Sequence, residues 1–303
     1  MFKKNILFKA LPLAIALCTV LSACSVEVDT PEEQTVPGTT AQNTTDVADT
    51  TLQASEANGS KLDVVDYSTE PVIWGPGNIK DHARPADPEK LQNKYSEMSG
   101  QWLLPEQKTI CLTFDEGYEN GFTAQILDTL AEKNVKAIFF CTYDYVRDNP
   151  DLVHRMINEG HILANHSYSH YNMTEVDLET AEEEITLMHD YVEENFNYSM
   201  GYFRFPEGVF SEQTLALAAQ LGYRSVFWSF AYEDWDADNS PDETEAFEKI
   251  TSSTHDGEIM LLHAVSETNA NILGNVIDNI REQGYESVSY THLRAHETVL
   301  DLV

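Results

Sequence analysis

Five short segments of the chain place ionisable or polar residues directly after apolar stretches. Together they contain three histidines, an arginine and carboxylates, which is the side-chain inventory of a metal-assisted hydrolase. The segments are residues 113–117 (Thr-Phe-Asp-Glu-Gly), 166–170 (His-Ser-Tyr-Ser-His), 204–208 (Arg-Phe-Pro-Glu-Gly), 234–235 (Asp-Trp) and 261–263 (Leu-Leu-His). Such chemistry requires strands and helices that bring the five segments together.

The first candidate pair is His166 and His170. They lie four residues apart after a predicted strand, in a segment that we expect to turn into a helix, where positions i and i+4 project to the same side. Two neutral imidazoles so placed suit zinc or another first-row divalent ion, with a carboxylate completing the set. Alone, such a pair is weak evidence and surface or core packing is the better explanation, but the other four segments favour the metal interpretation.

Strand and helix patterns alternate from residue 108 onward. The predicted strands are residues 109–114, 137–141, 162–165, 202–204, 225–228 and 259–262. The predicted helices are residues 121–133, 150–159, 178–195, 214–221 and 269–283. This alternation predicts an α/β fold whose parallel sheet closes into a barrel. Because the carboxyl ends of barrel strands converge on one face, we expect the five segments to form one site there.

In order and spacing, the five segments resemble the polysaccharide deacetylase family, the NodB-like family 4 carbohydrate esterases, which remove N-acetyl or O-acetyl groups from glycans. The likeness extends from about residue 108 to residue 284. Residues 113–123, 227–235 and 261–266 look most like the delta-lactam-biosynthetic branch, which deacetylates muramic acid in peptidoglycan. The fold that the resemblance implies is a distorted (β/α) barrel with fewer than eight regular repeats, in agreement with the predicted alternation.

The resemblance also implies roles for four residues. Asp115 is expected to be the base that activates water, and Arg204 is expected to orient it. His263 is expected to protonate the leaving amine. Glu116 stands where the family usually has an aspartate that binds the metal. We take it as the third ligand candidate, which binds directly, through water, or not at all.

Further residues are expected on the substrate side of the site. By resemblance, the backbone N–H of Glu207, next to Pro206, helps to hold the oxyanion. Asp234 and Trp235 match the Asp-Trp motif of the family. Trp228 offers a flat face to a sugar ring, and the alternative is that it belongs to the core.

The resulting hypothesis is a metal-dependent hydrolase that removes N-acetyl groups from a cell-wall glycan. Peptidoglycan is the expected substrate, with muramic acid as the first candidate sugar and N-acetylglucosamine as the second. Zinc is the expected cofactor, with cobalt or manganese as alternatives. The competing hypothesis is a catalytically inactive glycan-binding lipoprotein on the same scaffold, because Glu116 and Glu207 depart from the usual family pattern.

Length and composition restrict the other function classes. With 303 residues, of which 42% are hydrophobic, the chain is best interpreted as one domain of roughly 200 residues plus an extension. The formal net charge of −33 argues against binding to nucleic acid or to an anionic membrane through charge. We expect a monomer.

The first 23 residues have the pattern of an export signal: lysines, a short apolar stretch, and small residues before Cys24. Residues 21–24 (Leu-Ser-Ala-Cys) resemble a lipobox, which implies cleavage before Cys24 and a lipid on its sulfur. An ordinary signal peptide is the alternative. We therefore predict an extracytoplasmic protein that contacts the outer face of the bacterial cell membrane only through this lipid.

Three segments surround the deacetylase-like domain predicted at residues 108–288. Residues 24–62 are acidic and rich in threonine, and we predict a disordered tether. Residues 63–107 are predicted to be an irregular extension packed on the domain, and residues 289–303 resemble a translated sequencing adapter. Cys111 and Cys141, on two predicted strands, are compatible with a disulfide or with two buried thiols.

Overall fold

A parallel sheet flanked by helices positions the five segments. The computed structural model describes residues 63–77, 79 and 81–287, so the predicted export signal, tether and C-terminal tail lie outside the described residues. The described strands are β1 (Val72–Ile73), β2 (Gly100–Gln101), β3 (Thr109–Glu116), β4 (Ile138–Cys141), β5 (Ile162–Asn165), β6 (Tyr202–Phe203), β7 (Val209–Phe210), β8 (Arg224–Val226), β9 (Glu258–His263) and β10 (Glu286–Ser287). The described helices are α1 (Ala86–Lys94), α2 (Thr123–Glu132), α3 (Tyr143–Asp148), α4 (Pro150–Asn158), α5 (Leu178–Phe196), α6 (Glu212–Gln220), α7 (Glu243–Ser253) and α8 (Glu267–Glu282).

The large sheet runs in the order β10-β3-β4-β5-β6-β8-β2, and β9 also pairs with β3. Every pairing in it is parallel. The sheet curls into a distorted (β/α) barrel with fewer than eight regular repeats, which confirms the predicted fold class. Strands β1 and β7 form a separate antiparallel pair.

Strand β3 pairs with β4, β9 and β10 and carries the first segment. Seven of its eight residues are buried, as expected for a parallel strand that has neighbours on both edges. In the register, Asp115 lies opposite Phe140 of β4 and opposite His263 of β9. Strand pairing alone therefore brings the predicted base and the predicted acid to the same end of the barrel.

Helix α8 begins immediately after β9 and is fixed by a capping residue. The side chain of Ser266 accepts a hydrogen bond from the N–H of Asn269 at 3.3 Å, a type of contact worth about 1 kcal/mol. The apolar residues of α8 then pack into the core. The cap holds Asn269 close to the carboxyl end of β9.

The extension is more regular than predicted. It contains α1 and β2, and β2 pairs with β8 in the main sheet. Trp102 follows β2, is fully buried, and stacks on Phe227 with ring centroids 4.3 Å apart. Residues 63–107 therefore contribute to the core as well as covering it. Helices α3 and α7 were also absent from the sequence prediction.

The two cysteines of the described chain are both buried and free. Cys141 lies opposite Glu116 in the β3–β4 register, five residues beyond Cys111, which corresponds to about 16 Å along a strand. A disulfide requires Cα atoms within about 7 Å, so the structure favours two thiols. Among the described helices, none combines the length and the apolar character needed to cross a membrane.

Candidate active site

A cavity of about 690 Å³ opens at the carboxyl ends of the barrel strands. Its lining consists of Asp115, Gly117, Tyr118, Thr142, Asp144, His166, Tyr168, Ser169, His170, Glu207, Trp228, Ala231, Tyr232, Trp235, Leu261, His263 and Val265. All five segments lie at this cavity or directly behind it. The prediction of one site at one end of the barrel is consistent with this arrangement.

Asp115 is held by Arg204, as the resemblance implied. Nη1 of Arg204 donates to Oδ1 of Asp115 at 2.7 Å and to the hydroxyl of Thr113 at 2.9 Å. Burial would raise the pKa of Asp115, but the charge of Arg204, together with the nearby His166 and His263 and the hydrogen bond of Arg204, outweighs burial, so the pKa is lowered. Asp115 is therefore a carboxylate near neutral pH, with its second oxygen left for another partner.

Arg204 is buried completely and makes no contact with the cavity. Its Nε donates to the carbonyl of Val226 at 2.9 Å and its Nη2 to the carbonyl of Phe227 at 3.3 Å. The guanidinium also lies 4.0 Å from the ring centroid of Phe140, within the range of a cation–π contact. Because each nitrogen of the guanidinium has a partner inside the protein, Arg204 can orient Asp115 but cannot bind substrate.

His166 and His170 meet at the cavity, with ring centroids 4.9 Å apart. The predicted helix is wrong: the segment is a loop in which Ser167 and His170 have φ values of 73° and 58°. Two side chains stabilise this loop, because the amide of Asn165 accepts from the N–H of Ser167 and the hydroxyl of Ser167 accepts from the N–H of His170. Local hydrogen bonds of this kind compete with helix formation.

The imidazole of His166 is arranged as a neutral ligand. Its Nδ1–H donates to the carbonyl of Arg204 at 2.9 Å, which leaves the lone pair on Nε2. Nε2 lies 3.5 Å from Oδ2 of Asp115. Burial lowers the pKa of His166 to about 4, so the ring is uncharged at neutral pH.

Asp234 positions His263 from behind the cavity. Its carboxylate accepts from Nδ1–H of His263 at 2.7 Å and from the backbone N–H of His263 at 2.8 Å. The amide of Asn269 donates to the same carboxylate at 2.6 Å. Burial would lower the pKa of His263, but the charge and hydrogen bond of Asp234 outweigh burial, so the pKa is raised. The ring thus carries a proton more readily than an ordinary histidine.

Glu116 does not reach the cavity. Adjacent residues of a strand face opposite sides, so with Asp115 at the cavity, Glu116 points away from it. Its side chain is fully buried, and neither carboxylate oxygen has a hydrogen-bond partner. Burial, and then the neighbouring charges of Glu119 and Asp115, raise the pKa of Glu116 well above the ordinary value. The structure therefore contradicts its assignment as a ligand of an ion at His166 and His170.

The described residues contain no group of three His, Cys, Asp or Glu side chains arranged to hold a metal ion. His166 and His170 provide two nitrogens at the cavity, and Asp115 is the nearest carboxylate. Two imidazoles beside an open cavity still suit a borderline divalent ion whose remaining positions are filled by water or substrate. The histidines fit a metal, whereas the third ligand predicted from the sequence does not.

The walls of the cavity include predicted and unpredicted residues. Trp228 and Trp235 both line it; Trp228 is 8% exposed and Trp235 is 56% exposed. Pro206 is buried beneath the turn that presents Glu207. The named segments already contain Thr113 and Tyr168, but sequence analysis gave neither residue a role. It also missed Tyr118, which lies on a loop, Asp144 on short α3, and Asn269 in α8 behind the motifs.

Comparison with known proteins agrees with this geometry. A sequence profile described as "Polysaccharide deacetylase" matches residues 104–226. The chain is 42% identical over 221 residues to an uncharacterised 30.6 kDa protein of Geobacillus stearothermophilus, covering 72% of this chain and 83% of the other. It is 39% identical over 223 residues to the peptidoglycan N-acetylmuramic acid deacetylase PdaA of Bacillus subtilis, covering 71% and 83%. The solved structure of Bacillus subtilis PdaA, a family 4 carbohydrate esterase, superposes with a TM-score of 0.72 at 36% identity, covering 76% of this chain and 99% of that one.

Proposed function

Since this chain belongs to the polysaccharide deacetylase family, we propose that it removes N-acetyl groups from a sugar of cell-wall peptidoglycan by metal-dependent hydrolysis. The chain is a hydrolase that acts on carbon–nitrogen bonds other than peptide bonds. One observation carries the proposal: a carboxylate fixed by Arg204 and an imidazole fixed by Asp234 face the same cavity. Groups held in opposite protonation states suit a base and an acid.

Asp115 acts as the base. Arg204 holds its Oδ1, so Oδ2 takes a proton from the attacking water. The lowered pKa of Asp115 keeps this carboxylate charged at neutral pH, and therefore able to accept the proton. The water oxygen forms a bond to the acetyl carbon, and the backbone N–H of Glu207 donates to the oxyanion that develops.

His263 acts as the acid. Its ring proton passes to the sugar nitrogen as the carbon–nitrogen bond breaks, which releases acetate and leaves a free amine on the sugar. Asp234 holds the ring through Nδ1 and raises its pKa, so Nε2 carries the proton toward the cavity. Once the acetate has left, His263 is recharged by solvent.

His166 and His170 are the residues that would hold a divalent ion, on which members of this family generally depend. Such an ion, when bound, polarises the acetyl carbonyl and lowers the pKa of water. We propose zinc, because imidazole nitrogens suit it, with cobalt or manganese as alternatives. In titration calorimetry, zinc is expected to bind the wild type but not His166→Ala, while His154→Ala, on the exposed side of α4, retains binding.

Muramic acid is the first candidate sugar and N-acetylglucosamine the second. The similarity to PdaA, whose name specifies N-acetylmuramic acid, supports this order. Mass analysis of digested cell wall, after incubation with the protein and zinc, identifies the sugar that has lost an acetyl group. We expect deacetylated sugar in the digest with zinc and none when a chelator is added. A digest without deacetylated sugar in the presence of zinc, cobalt or manganese would contradict the proposal.

The rival proposal is a glycan-binding lipoprotein without turnover. It is favoured by the position of Glu116, which leaves the histidine pair without a third protein ligand among the described residues. Against it, a fully buried Arg204 holds Asp115 through Nη1, and a binding protein needs no oriented base. Binding of peptidoglycan without acetate release would support the rival.

We also propose that the protein is lipid-anchored through Cys24 on the outer face of the bacterial cell membrane. Support comes from the sequence of residues 1–24, which lie outside the described residues. Metabolic labelling with a clickable fatty acid is expected to mark the wild type but not Cys24→Ala. Equal labelling of both would contradict the anchor.

A further inference from the structure

A tight turn at the cavity presents Glu207. The turn spans Pro206–Gly208, whose first and last residues are buried while Glu207 is exposed. A Cβ atom on Gly208 would lie 2.7 Å from the ring of Trp228 and 3.1 Å from the carbonyl of Trp74, so the backbone is packed closely on that side. Glu207 itself has a left-handed φ of 58°. The carboxylate of Glu207 therefore extends from a rigid support.

Within the described part of the chain, Glu207 has no cationic partner at this wall, since His263, the proton donor of the proposed reaction, is paired with Asp234. Neither lysine nor arginine occurs among the described residues that line the cavity. Glu207 has no hydrogen bond or ion pair with another described residue. Asp144, the other acidic residue near the opening, is paired with Arg147 outside the cavity lining, and Arg204 is buried and fully engaged.

The two candidate sugars differ in charge. N-Acetylglucosamine is neutral, whereas muramic acid carries a lactyl carboxylate, which is ionised when no peptide is attached to it. Two carboxylates in one cavity repel each other, and the repulsion is strongest at low ionic strength. Similarity to PdaA and the charge of this cavity thus point to different substrates.

We propose that Glu207 is a specificity-determining residue that disfavours a sugar with a free carboxylate and favours uncharged N-acetylated units. This inference rests on the proposed deacetylase function, and for strands without attached peptide it places N-acetylglucosamine before muramic acid. An ion at His166 and His170 would attract carboxylates, but it would be present in every Glu207 variant. Comparison of variants therefore isolates the contribution of Glu207.

The test uses peptide-free glycan strands with lactyl carboxylates that are either free or converted to neutral methylamides. For the wild type at low salt, kcat/KM for acetate release is expected to be about threefold to tenfold higher on the neutral strand. Glu207→Gln should bring this ratio close to one, and Glu207→Arg should invert it. Glu194→Gln, an equal charge change on an exposed site of α5 outside the cavity, should leave the ratio as in the wild type.

A wild-type ratio of one, or a ratio that Glu207→Gln leaves unchanged, overturns the inference while the deacetylase function survives. If neither strand releases acetate, the proposed function fails, and titration calorimetry of the same strands then decides the role of Glu207. Tighter binding of the neutral strand by the wild type, lost in Glu207→Gln, supports the inference. Equal binding of both strands by both proteins contradicts it.

Discussion

The two ends of β9 each carry a histidine beside a carboxylate, with opposite properties. At the carboxyl end, Nδ1 of His263 lies 2.7 Å from Asp234, and the side chain of His263 is 21% exposed. Before the amino end, Nδ1 of His255 lies 3.4 Å from Glu258, and both side chains are 0% exposed. The residue types are nearly the same, but only the first pair has access to substrate.

The partners of each carboxylate explain the difference. Asp234 accepts three hydrogen bonds, from the ring and N–H of His263 and from Asn269. Its charge and its hydrogen bond with the ring raise the pKa of His263. One carboxylate oxygen of Glu258 accepts a hydrogen bond from the N–H of His255, and its other oxygen has no hydrogen-bond partner. Burial therefore dominates, and it raises the pKa of Glu258 well above the ordinary value.

The ring of His255 is also fully engaged. Its Nδ1–H donates to the carbonyl of Ser253 at 3.0 Å, and its Nε2 accepts from the hydroxyl of Ser229 at 2.9 Å. That hydroxyl accepts from the N–H of Ile259 at 3.1 Å. Burial lowers the pKa of His255 to about 4. The contacts that link Ser229, His255 and Glu258 are structural, because all three residues are completely buried.

The largest effect is expected at the catalytic end. His263→Ala should lower kcat/KM for acetate release by about 100-fold to 10,000-fold, the range for loss of a general acid. The free energy of unfolding should change little, because the ring borders the cavity. Acetate assays and urea denaturation together check this, and an active variant would remove His263 from the mechanism.

The matched change, His255→Ala before the amino end of β9, should lower the stability of the protein but leave acetate release unchanged. His255→Ala leaves a buried cavity and unpaired polar groups, so the free energy of unfolding at pH 7 should fall by about 2–4 kcal/mol.

The effect of His255→Ala should also depend on pH. The folded wild type keeps His255 neutral down to pH about 4, while the unfolded chain takes up a proton on this residue below pH about 6.5. The wild type thus loses stability as the pH falls from 6.5 toward 4. The difference in the free energy of unfolding between the wild type and His255→Ala should therefore narrow. Urea denaturation across this pH range measures the difference. Loss of acetate release in the folded variant would contradict a purely structural role for His255.

A smaller effect on acetate release is expected from a change to Asp234, the carboxylate that holds His263. Asp234→Asn removes the charge that raises the pKa of His263, so the basic limb of the pH profile should move to lower pH. At pH 8, kcat/KM should fall by about tenfold, with a smaller loss at pH 6. A profile that keeps its basic limb would show that Asp234 does not set the protonation of His263.

The smallest effect is expected from Glu258→Gln. Burial holds the pKa of Glu258 in the folded wild type well above its ordinary value of 4.5, at which the unfolded chain ionises this residue. Wild-type stability therefore falls as the pH rises above 4.5, a loss that glutamine avoids. The variant should be more stable than the wild type at pH 7 and similar to it at pH 4, as measured by urea denaturation. A variant that is less stable at pH 7 would indicate an ionised Glu258.

The barrel and most of the site could be predicted because strand patterns are local and parallel strands share one carboxyl end. Asp115 and His263 directly follow predicted strands and Arg204 ends one, and pairing of β3 with β9 brings the first two together. The ligand role of Glu116 was wrong because the strand was predicted to end at residue 114. In the structure, β3 continues through Glu116, and the alternation of side chains then turns Asp115 and Glu116 to opposite faces.

Other parts of the site leave a weaker trace in the sequence. His166 and His170 meet through a loop with left-handed residues, and only the polar side chains of Asn165 and Ser167 hint at it. Asn269 reaches Asp234 because a cap fixes the start of α8. Contacts of this kind depend on how elements pack, which no short pattern contains.

The most direct test of the account is acetate release from peptidoglycan by wild-type protein and by Asp115→Asn, side by side with zinc present. The substituted amide would keep the size of the side chain but could not take a proton from water, so release should fall by at least about 100-fold, with zinc binding retained and the variant still folded. Release at the wild-type rate by the folded variant would contradict the assignment of this cavity as the site of hydrolysis.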